Sequence, residues 1–378
     1  MKPLRWWLLL LVLASSSIHA APEFWLVTYG PGPAVWERFG HNALWLRDRA
    51  TGENALYNYG FFDFEQPGFV PRFIRGRMLY YAAATDPERE FPFYRQRQRS
   101  ISVQKLNLSE AQAQALAGNL RRSVLPGERE YLYDYFLANC STRVRDALDE
   151  VLGGAIERSQ AGELTATSFR RSALTQVQDD FWLYLGIQLG LGRPADQQLS
   201  EWQRFYLPHA LSEQLAEITS EQGVVASPAQ ELQPGMPLMA ELRPYYGQFA
   251  ALGGVSLMMI LLPWWRLRER RPRLAILPAR LWLLLGGLAG GLLAFLWLGT
   301  DHSAAWRNEN LLLLNPLALI LAVFPGWRYA RTLGGLLAAA LLIAVVFKLF
   351  PGSQFNHDLL LWLLPAQAAA LWVTWARN

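Results

Sequence analysis

The last third of the chain is dominated by long apolar segments, and this feature limits the possible folds more than any other. Five segments after residue 242 are apolar enough to be interpreted as membrane spans: 246–264, 281–298, 311–324, 333–350 and 359–375. A helix needs about 20 apolar residues to cross a bilayer, and the third segment is shorter than that. We therefore expect its Asn315 and Pro316 to lie near a membrane face or to be sheltered by other helices. The sequence predicts an all-α transmembrane bundle of about five helices over residues 243–378.

The N-terminus has the pattern of a secretory signal. Lys2 and Arg5 give it a basic start, residues 6–14 are apolar, and small residues are frequent over 15–21. Such a sequence directs the following segment out of the cytoplasm. We therefore predict a signal peptide over residues 1–21 and an extracytoplasmic domain of ordinary size over residues 22–242.

Arginine-rich loops set the orientation of the predicted spans. The loop between the first two spans carries six arginines, and the link between the third and fourth carries Arg328 and Arg331. Loops rich in Lys and Arg stay in the cytoplasm, so the domain and the loops 300–310 and 351–357 should lie together outside. We expect a multi-pass membrane protein whose N-terminal domain lies outside the cytoplasm. The net charge of +4 reflects this topology and does not indicate nucleic-acid binding.

A second group of arginines lies inside the predicted extracytoplasmic domain. Arg95, Arg97 and Arg99 alternate with glutamine in YRQRQRS, and three more arginines, Arg77 among them, lie upstream. Two interpretations are open: a solvated strand face, or contact with lipid headgroup phosphates, for which arginine is well suited. On the second interpretation Arg77 is a candidate substrate-binding residue.

Cys140 is the only cysteine in the 378 residues, so it cannot form an internal disulfide. It is either an inert buried residue or a reactive thiol. The alternating aromatic run YLYDYF before it predicts a strand, and residues 141–152 have helical spacing and end at Gly153 and Gly154. A thiolate at such a strand-to-helix junction is stabilised by the helix N-terminus. The position favours the reactive interpretation.

A thiolate nucleophile needs a base, and beyond the signal the domain has two histidines, His41 and His209. His41 begins the predicted strand HNALWLRD, and ALYNYGFFDF forms the return strand of a hairpin. Asn58 would then lie on the same face as His41 and could fix its tautomer, although Asp63 or a tyrosine could serve instead. His209 follows a proline and is interpreted as structural.

Other polar residues are candidates for substrate binding. Tyr57 and Asn139 are neighbours of Asn58 and Cys140 in sequence, and His302, Asn308 and His357 belong to the two predicted outer loops. Ionisable groups near a membrane are often functional, but as ordinary loop residues they need no special explanation. We find no motif for a metal or a cofactor and expect neither.

Several motifs together resemble a known family. These are FGHNALWL, LYNYGFFDF, YFLANCSTRVRD, DFWLYLGIQLGLGRPAD and NENLLLLNPL. The chain looks like the family with an Lnb-type N-terminal periplasmic domain, which is similar to the circularly permuted NlpC/P60 and papain-like thiol enzymes. In that branch the histidine strand precedes the cysteine helix, as His41 precedes Cys140 here. The pair Asn139 and Cys140 also resembles the lecithin–retinol acyltransferase group. The resemblance implies an α+β, papain-like extracytoplasmic domain fused to the membrane bundle, in a multi-pass protein of the bacterial inner membrane whose N-terminal domain lies in the periplasm.

The resemblance also implies a function. The family's named member is a lipoprotein N-acyltransferase, which moves an acyl chain from the diacylglyceryl group to the amine of the lipoprotein's N-terminal cysteine. The partners would be a diacylated lipoprotein N-terminus and membrane lipid, and we expect a monomer. Two alternatives remain: a cell-envelope thiol hydrolase acting on peptide or ester bonds, and a non-catalytic membrane scaffold.

Overall fold

The structure is a computed structural model that describes residues 21–239 and 241–377. The predicted signal peptide therefore lies outside the described residues, apart from its last residue. The described chain has an α/β part followed by a helical part.

A seven-stranded antiparallel sheet forms the centre of the α/β part, in the order β11-β5-β1-β2-β3-β4-β6. Its strands are β1 (Glu23–Tyr29), β2 (His41–Asp48), β3 (Glu53–Phe61), β4 (Met78–Thr85), β5 (Ile101–Lys105), β6 (Glu130–Tyr133) and β11 (Gln230–Gln233). Two small two-stranded sheets consist of β7 (Leu164–Ser168) with β8 (Gln198–Ser200), and of β9 (Thr219–Ser220) with β10 (Gly223–Val224). The predicted hairpin is confirmed as β2 and β3, with Ala43 opposite Asn58.

Helices cover both faces of the sheet. Those of the α/β part are α1 (Phe69–Ile74), α2 (Pro87–Gln96), α3 (Glu110–Ser123), α4 (Cys140–Val151), α5 (Ala155–Gln160), α6 (Phe169–Val177), α7 (Phe181–Gly190), α8 (Glu201–Arg204) and α9 (Pro208–Leu215). Leu44 and Leu46 point from β2 into a core shared with α3, α4 and α9, whereas Val27 and Tyr29 point from β1 to the face under α2. This alternation is the strand period of two with both faces buried. The α+β prediction is confirmed in that this domain combines helices with an antiparallel sheet; the papain-like assignment stays a prediction.

The arginine-rich segment YRQRQRS is not a strand, so one of its two interpretations is wrong. Asp86 caps the preceding helix and Pro87 occupies its first turn, and the helix runs to Gln96. A capping Asp followed by Pro is a strong helix start. Arg97 pairs with Glu37 at 2.7 Å, and the segment forms a helix end and a turn.

Four helices within the described residues are long and apolar enough to cross a membrane. They are α10 (Tyr246–Leu267), α12 (Leu277–Leu298), α14 (Ala330–Phe347) and α15 (His357–Arg377), with the short α11 (Pro272–Ala275) before α12. They confirm four of the five predicted spans.

The segment predicted as the third span, 311–324, is broken. A 3₁₀ turn (Glu309–Leu312) is followed by irregular backbone and then by the short helix α13 (Ala318–Val323). Pro316 has no N–H to donate and so interrupts a helix. The broken segment lies antiparallel to α12: Arg280 Nε, near the start of α12, donates to the carbonyl of Ala322 at 2.7 Å. The irregular backbone is thus sheltered by a neighbouring helix, as membrane structures require.

Gly290 on α12 permits this contact. A Cβ built on Gly290 would lie 1.8 Å from the carbonyl oxygen of Leu314, whereas one on the adjacent Gly291 meets nothing within 4 Å. We expect Gly290→Val to lower the free energy of unfolding by about 1–3 kcal/mol through overpacking. Gly291→Val is the matched control, since it makes the same change in helix propensity, and should leave stability unchanged. Thermal unfolding in detergent measures both; equal melting temperatures would contradict the packing described.

Helix α7 joins the α/β part to the membrane helices. The Tyr184 hydroxyl and the Gln188 amide donate to the two carboxylate oxygens of Asp358, at 2.6 and 2.8 Å. Asn310 Nδ2 donates to the carbonyl of Gln188 at 2.9 Å. These groups are buried, and buried polar groups that are fully paired hold a single geometry. The α/β part is therefore fixed on one end of the helical bundle.

Candidate active site

Cys140 is the first residue of α4, and Asn139 forms the helix cap. Asn139 Oδ1 accepts the backbone N–H groups of Ser141 and Thr142, both at 2.9 Å. Its Nδ2 donates to the carbonyl of Tyr206 at 2.9 Å. This cap satisfies two free N–H groups of the first turn and leaves the backbone N–H of Cys140 beside the thiol. Asn139, a candidate substrate-binding residue, thus has its side-chain polar atoms engaged within the protein.

Hydrogen bonds between β2 and the first turn of α4 fix this helix against the sheet. Asn42 Nδ2 donates to Ser141 Oγ at 3.1 Å, and Ser141 Oγ donates to the carbonyl of Phe205 at 2.6 Å. Thr28 donates to Asn42 Oδ1 at 2.9 Å. Ser141 and Asn42 are fully buried. Because Asn42 follows His41 and Ser141 follows Cys140, this network sets the relative positions of the imidazole and the thiol.

The imidazole of His41 and the thiol of Cys140 are neighbours, and each shifts the other's pKa. Burial would raise the pKa of the Cys140 thiol, but the charge of His41, its hydrogen bond and the nearby N–H groups of Asn42 and Ser141 lower it overall. Burial would lower the pKa of His41, but the Cys140 thiolate and the hydrogen bond that His41 donates to Asn58 Oδ1 raise it overall. The lowered pKa of Cys140 and the raised pKa of His41 both favour a thiolate beside an imidazolium.

Asn58 holds the far side of the imidazole. The Nε2 of His41 lies 2.8 Å from Asn58 Oδ1, so Nε2 carries a proton and donates it, and the other ring nitrogen is left for the thiol. The pairing of Ala43 with Asn58 puts Asn58 on the same face of the hairpin as His41, as the sequence predicted. Asp63, one of the alternatives, instead accepts the backbone N–H of Glu65 at 2.8 Å.

Glu90 of α2 extends this chain of contacts under the sheet. Its carboxylate accepts Asn58 Nδ2 at 2.9 Å and the Tyr29 hydroxyl at 2.7 Å, and it also accepts the hydroxyl of Thr85. The Tyr29 ring stacks on that of His41 with centroids 6.0 Å apart. A carboxylate that fixes the Asn58 amide also fixes which atom faces His41. Glu90 therefore orients the imidazole through Asn58.

Gly60 and Tyr131 lie close to the thiol. Gly60, level with His41 in the hairpin, has a φ of +101°, and a Cβ built on it would lie 3.8 Å from Cys140 Cβ and 4.0 Å from the Tyr131 hydroxyl. Tyr131 is 9% exposed, and its hydroxyl has no hydrogen-bond partner within the described structure. Burial and then the neighbouring Cys140 thiolate raise the pKa of Tyr131, so the hydroxyl keeps its proton. A hydroxyl donor without a partner in the described structure thus lies near the thiol.

The shifted pKa values can be tested directly, because every thiol signal comes from Cys140. We expect the rate of alkylation by iodoacetamide to show a deprotonation midpoint below the usual thiol value of about 8.5. A larger fraction of this thiol is then ionised at a given pH than of an ordinary cysteine, and the thiolate is lost as the pH falls through the lowered pKa. His41→Ala removes the positive charge and should move the midpoint upward. Equal midpoints in the two proteins would contradict the interaction, and Cys140→Ala supplies the blank.

His209 lies on α9 away from this arrangement. Burial, and then the charge of Arg204, lower its pKa to about 4. An imidazole with such a pKa is neutral at physiological pH, which agrees with the structural interpretation made from the sequence.

Two other candidates for substrate binding contact protein groups. Tyr57 is 3% exposed, and its hydroxyl donates to Glu53 at 2.5 Å. Arg77 pairs with Asp301 at 2.6 Å on the surface. Their contact with substrate stays a prediction.

The candidates in the two loops near the membrane also contact protein groups. His302 Nε2 lies 3.0 Å from the carbonyl of Phe73, and Asn308 Nδ2 donates to the carbonyl of Leu189 at 2.7 Å. His357 begins α15, and its ring packs edge-on against Phe355. Arg77, His302 and Asn308 thus connect the α/β part to the membrane helices; contact of the loop residues with substrate stays a prediction.

Sequence reasoning did not identify Glu90 or Tyr131. Glu90 lies in an ordinary charged helix, and no local signal marks it, because its role depends on α2 folding under the sheet. Tyr131 belongs to the alternating run YLYDYF, where the period of two could have placed it on the same face as Tyr133 and beside Cys140.

Comparison with known families gives two matches. The sequence matches the Lnb N-terminal periplasmic domain over residues 16–172 and the Lnb transmembrane domain over residues 248–332. The first match contains His41, Asn58 and Cys140, and the second contains most of α10, all of α12 and the broken segment. No curated protein and no solved structure matches the chain. With both domains in the Lnb order, the chain belongs to the Lnb family and is a membrane protein with a periplasmic domain.

Proposed function

We propose that the protein is a lipoprotein N-acyltransferase in which Cys140 carries the acyl chain as a thioester. The observation that carries the proposal is the position of Cys140: a thiol with a lowered pKa at a helix N-terminus, beside His41, in a domain fixed on membrane helices. Lnb family membership makes a lipoprotein the favoured substrate.

The first half of the proposed reaction forms the acyl-enzyme. The Cys140 thiolate attacks an ester carbonyl of the diacylglyceryl group, and a tetrahedral oxyanion forms. The backbone N–H of Cys140 and the Tyr131 hydroxyl are the donors proposed to hold this oxyanion, since both lie close to the thiol. The C–O bond then breaks, the glycerol oxygen takes the proton from His41, and a Cys140 thioester remains.

The second half transfers the acyl chain to an amine. The free amine of the lipoprotein's N-terminal cysteine attacks the thioester, and His41 accepts a proton from it. The tetrahedral intermediate collapses, the C–S bond breaks, and the Cys140 thiolate is restored with an amide as the product. Water must be kept out meanwhile, or the thioester would be hydrolysed. The tyrosine rings around Gly60 would serve this purpose.

Fragment mass spectrometry of a lipopeptide tests the proposal. Purified full-length protein is incubated with a synthetic diacylated lipopeptide that has a free N-terminus. Transfer within one lipopeptide leaves the intact mass unchanged and moves one acyl chain from the glycerol to the amine, which fragment spectra locate. Hydrolysis instead lowers the mass by one acyl chain and leaves the amine free.

The Cys140→Ala protein is the control. An acylated amine with the wild-type protein and not with the control is the expected result. Release of fatty acid alone would replace the proposal by the thiol hydrolase, and an unchanged lipopeptide would favour the scaffold.

A further inference from the structure

Helix α1 exposes apolar side chains although it belongs to the periplasmic domain. Val70 is 60% exposed, Ile74 47% and Phe73 40%; we call these three the α1 patch. Clusters of exposed apolar residues mark protein or membrane contact sites. The elements next to the α1 patch indicate what covers it.

The α1 patch lies beside the end of a membrane helix. Helix α12 ends at Leu298, and the Asp301 N–H a few residues later donates to the carbonyl of Arg75 at 2.8 Å. His302 contacts the carbonyl of Phe73 at 3.0 Å. A Cβ on Gly76 would meet the backbone N of His302 at 2.7 Å, so this approach is close. Helix α1 is thereby held beside the end of α12, where α12 would leave the bilayer.

A row of aromatic rings connects the α1 patch to the thiol. The ring of Phe73 stacks on that of Phe69 with centroids 6.0 Å apart, and Phe69 neighbours Phe62 at 6.2 Å. Phe62 neighbours Tyr80 at 5.1 Å, and Tyr80 stacks on Tyr133 at 4.3 Å. We call Phe69, Phe62, Tyr80 and Tyr133 the aromatic row.

The aromatic row ends at Cys140. A ring atom of Tyr133 lies 3.9 Å from the position of a Cβ on Gly60, and Cys140 Cβ lies 3.8 Å from the same point. A series of ring contacts therefore connects helix α1, beside the end of a membrane span, to the nucleophile.

We propose that the α1 patch lies in the outer leaflet of the membrane and that the aromatic row binds the long acyl chain of a lipid ester, with the ester at Cys140 and the methyl end toward α1. This inference rests on the proposed function for the identity of the ester. Apolar and aromatic side chains at an interface suit an acyl chain. Arg75 is exposed at the end of α1. With α1 in the outer leaflet, its guanidinium would meet the headgroup phosphates of the surrounding lipids.

Photo-crosslinking tests both parts of the proposal. Full-length Cys140→Ala protein, which cannot turn over, is reconstituted in phosphatidylcholine vesicles with a phospholipid that carries a diazirine near either the methyl or the carboxyl end of one acyl chain. We expect the methyl-end probe to label α1, and the carboxyl-end probe to label β4 and β6. Labels confined to the membrane helices, or the opposite order of the two probes, would overturn the proposal. An unlabelled α1 would also overturn it and would favour a protein partner as the cover of the α1 patch.

A matched pair of variants gives a second measurement. Val70→Asp puts a charge into the α1 patch and should reduce labelling of α1, β4 and β6 by about tenfold. Val224→Asp makes the same change at a valine that is 45% exposed in the short β9–β10 hairpin and should leave labelling unchanged. An equal effect of the two changes would count against the membrane position of α1.

The two measurements separate this inference from the proposed function. They use protein without Cys140, so they do not depend on acyl transfer. Labelled α1 in a protein whose wild type forms no N-acyl product supports the lipid-binding surface and refutes the N-acyltransferase.

Discussion

Replacing Cys140 by alanine is expected to reduce N-acylation of a diacylated lipopeptide to the level of the blank. The proposed thioester requires a sulfur nucleophile, and among its neighbours no other side chain can replace it. Cys140→Ser keeps nearly the same shape and should be inactive as well, because His41 does not lower the pKa of a serine hydroxyl enough. Fragment mass spectrometry of the lipopeptide measures the product.

His41→Ala should cause a loss almost as large, and the double variant should lose no more than Cys140→Ala alone. Groups that act as one unit are non-additive in this way. Thermal unfolding controls for the fold: Cys140→Ser should melt like the wild type, since it removes no hydrogen bond from the Asn139 cap. An active Cys140→Ala protein would refute the mechanism.

Removing the hydroxyl of Tyr131 is expected to lower kcat by about 10²–10³, the effect of losing one oxyanion donor. KM should change little, because the charge that the hydroxyl holds develops only in the transition state. The same change should leave stability equal or higher, since the hydroxyl is buried without a partner in the described structure. Steady-state kinetics and thermal unfolding of Tyr131→Phe measure both.

The combination of slower turnover and unchanged stability separates a catalytic role from a structural one. Tyr135→Phe is the control, because Tyr135 is 45% exposed on the neighbouring loop and should retain wild-type rates. If Tyr131→Phe turns over at the wild-type rate, the Tyr131 hydroxyl is not an oxyanion donor, and the backbone N–H of Cys140 is left to act without it.

The parts of the site that lie on one hairpin or one helix start could be predicted from the sequence. The alternation in β2 and β3 placed Asn58 beside His41, because register in a short hairpin follows from its turn. The helical spacing after Cys140 placed the thiol at a helix N-terminus. In both cases the distance along the chain is short, and local patterns determine the geometry.

The parts that depend on distant elements could not be predicted. Glu90 reaches Asn58 because α2 folds under the sheet, and α1 meets the 300–310 loop across more than 200 residues of sequence. The sequence predicted that the third span is short but not that it is broken, although Pro316 lies in the middle of it. Its path along α12 depends on the close approach at Gly290, which no local pattern indicates.

The central claim, a Cys140 thioester, is tested most directly by mass spectrometry of the enzyme itself. The wild-type protein is mixed with diacylated lipopeptide, quenched in acid during the first turnovers and digested, and the peptide that contains Cys140 is analysed. The account predicts that this peptide gains the mass of one acyl chain, that neutral hydroxylamine removes it, and that the His41→Ala protein shows little of it. N-acylated lipopeptide formed while Cys140 stays unmodified, or an acyl group found on another residue, would contradict the account.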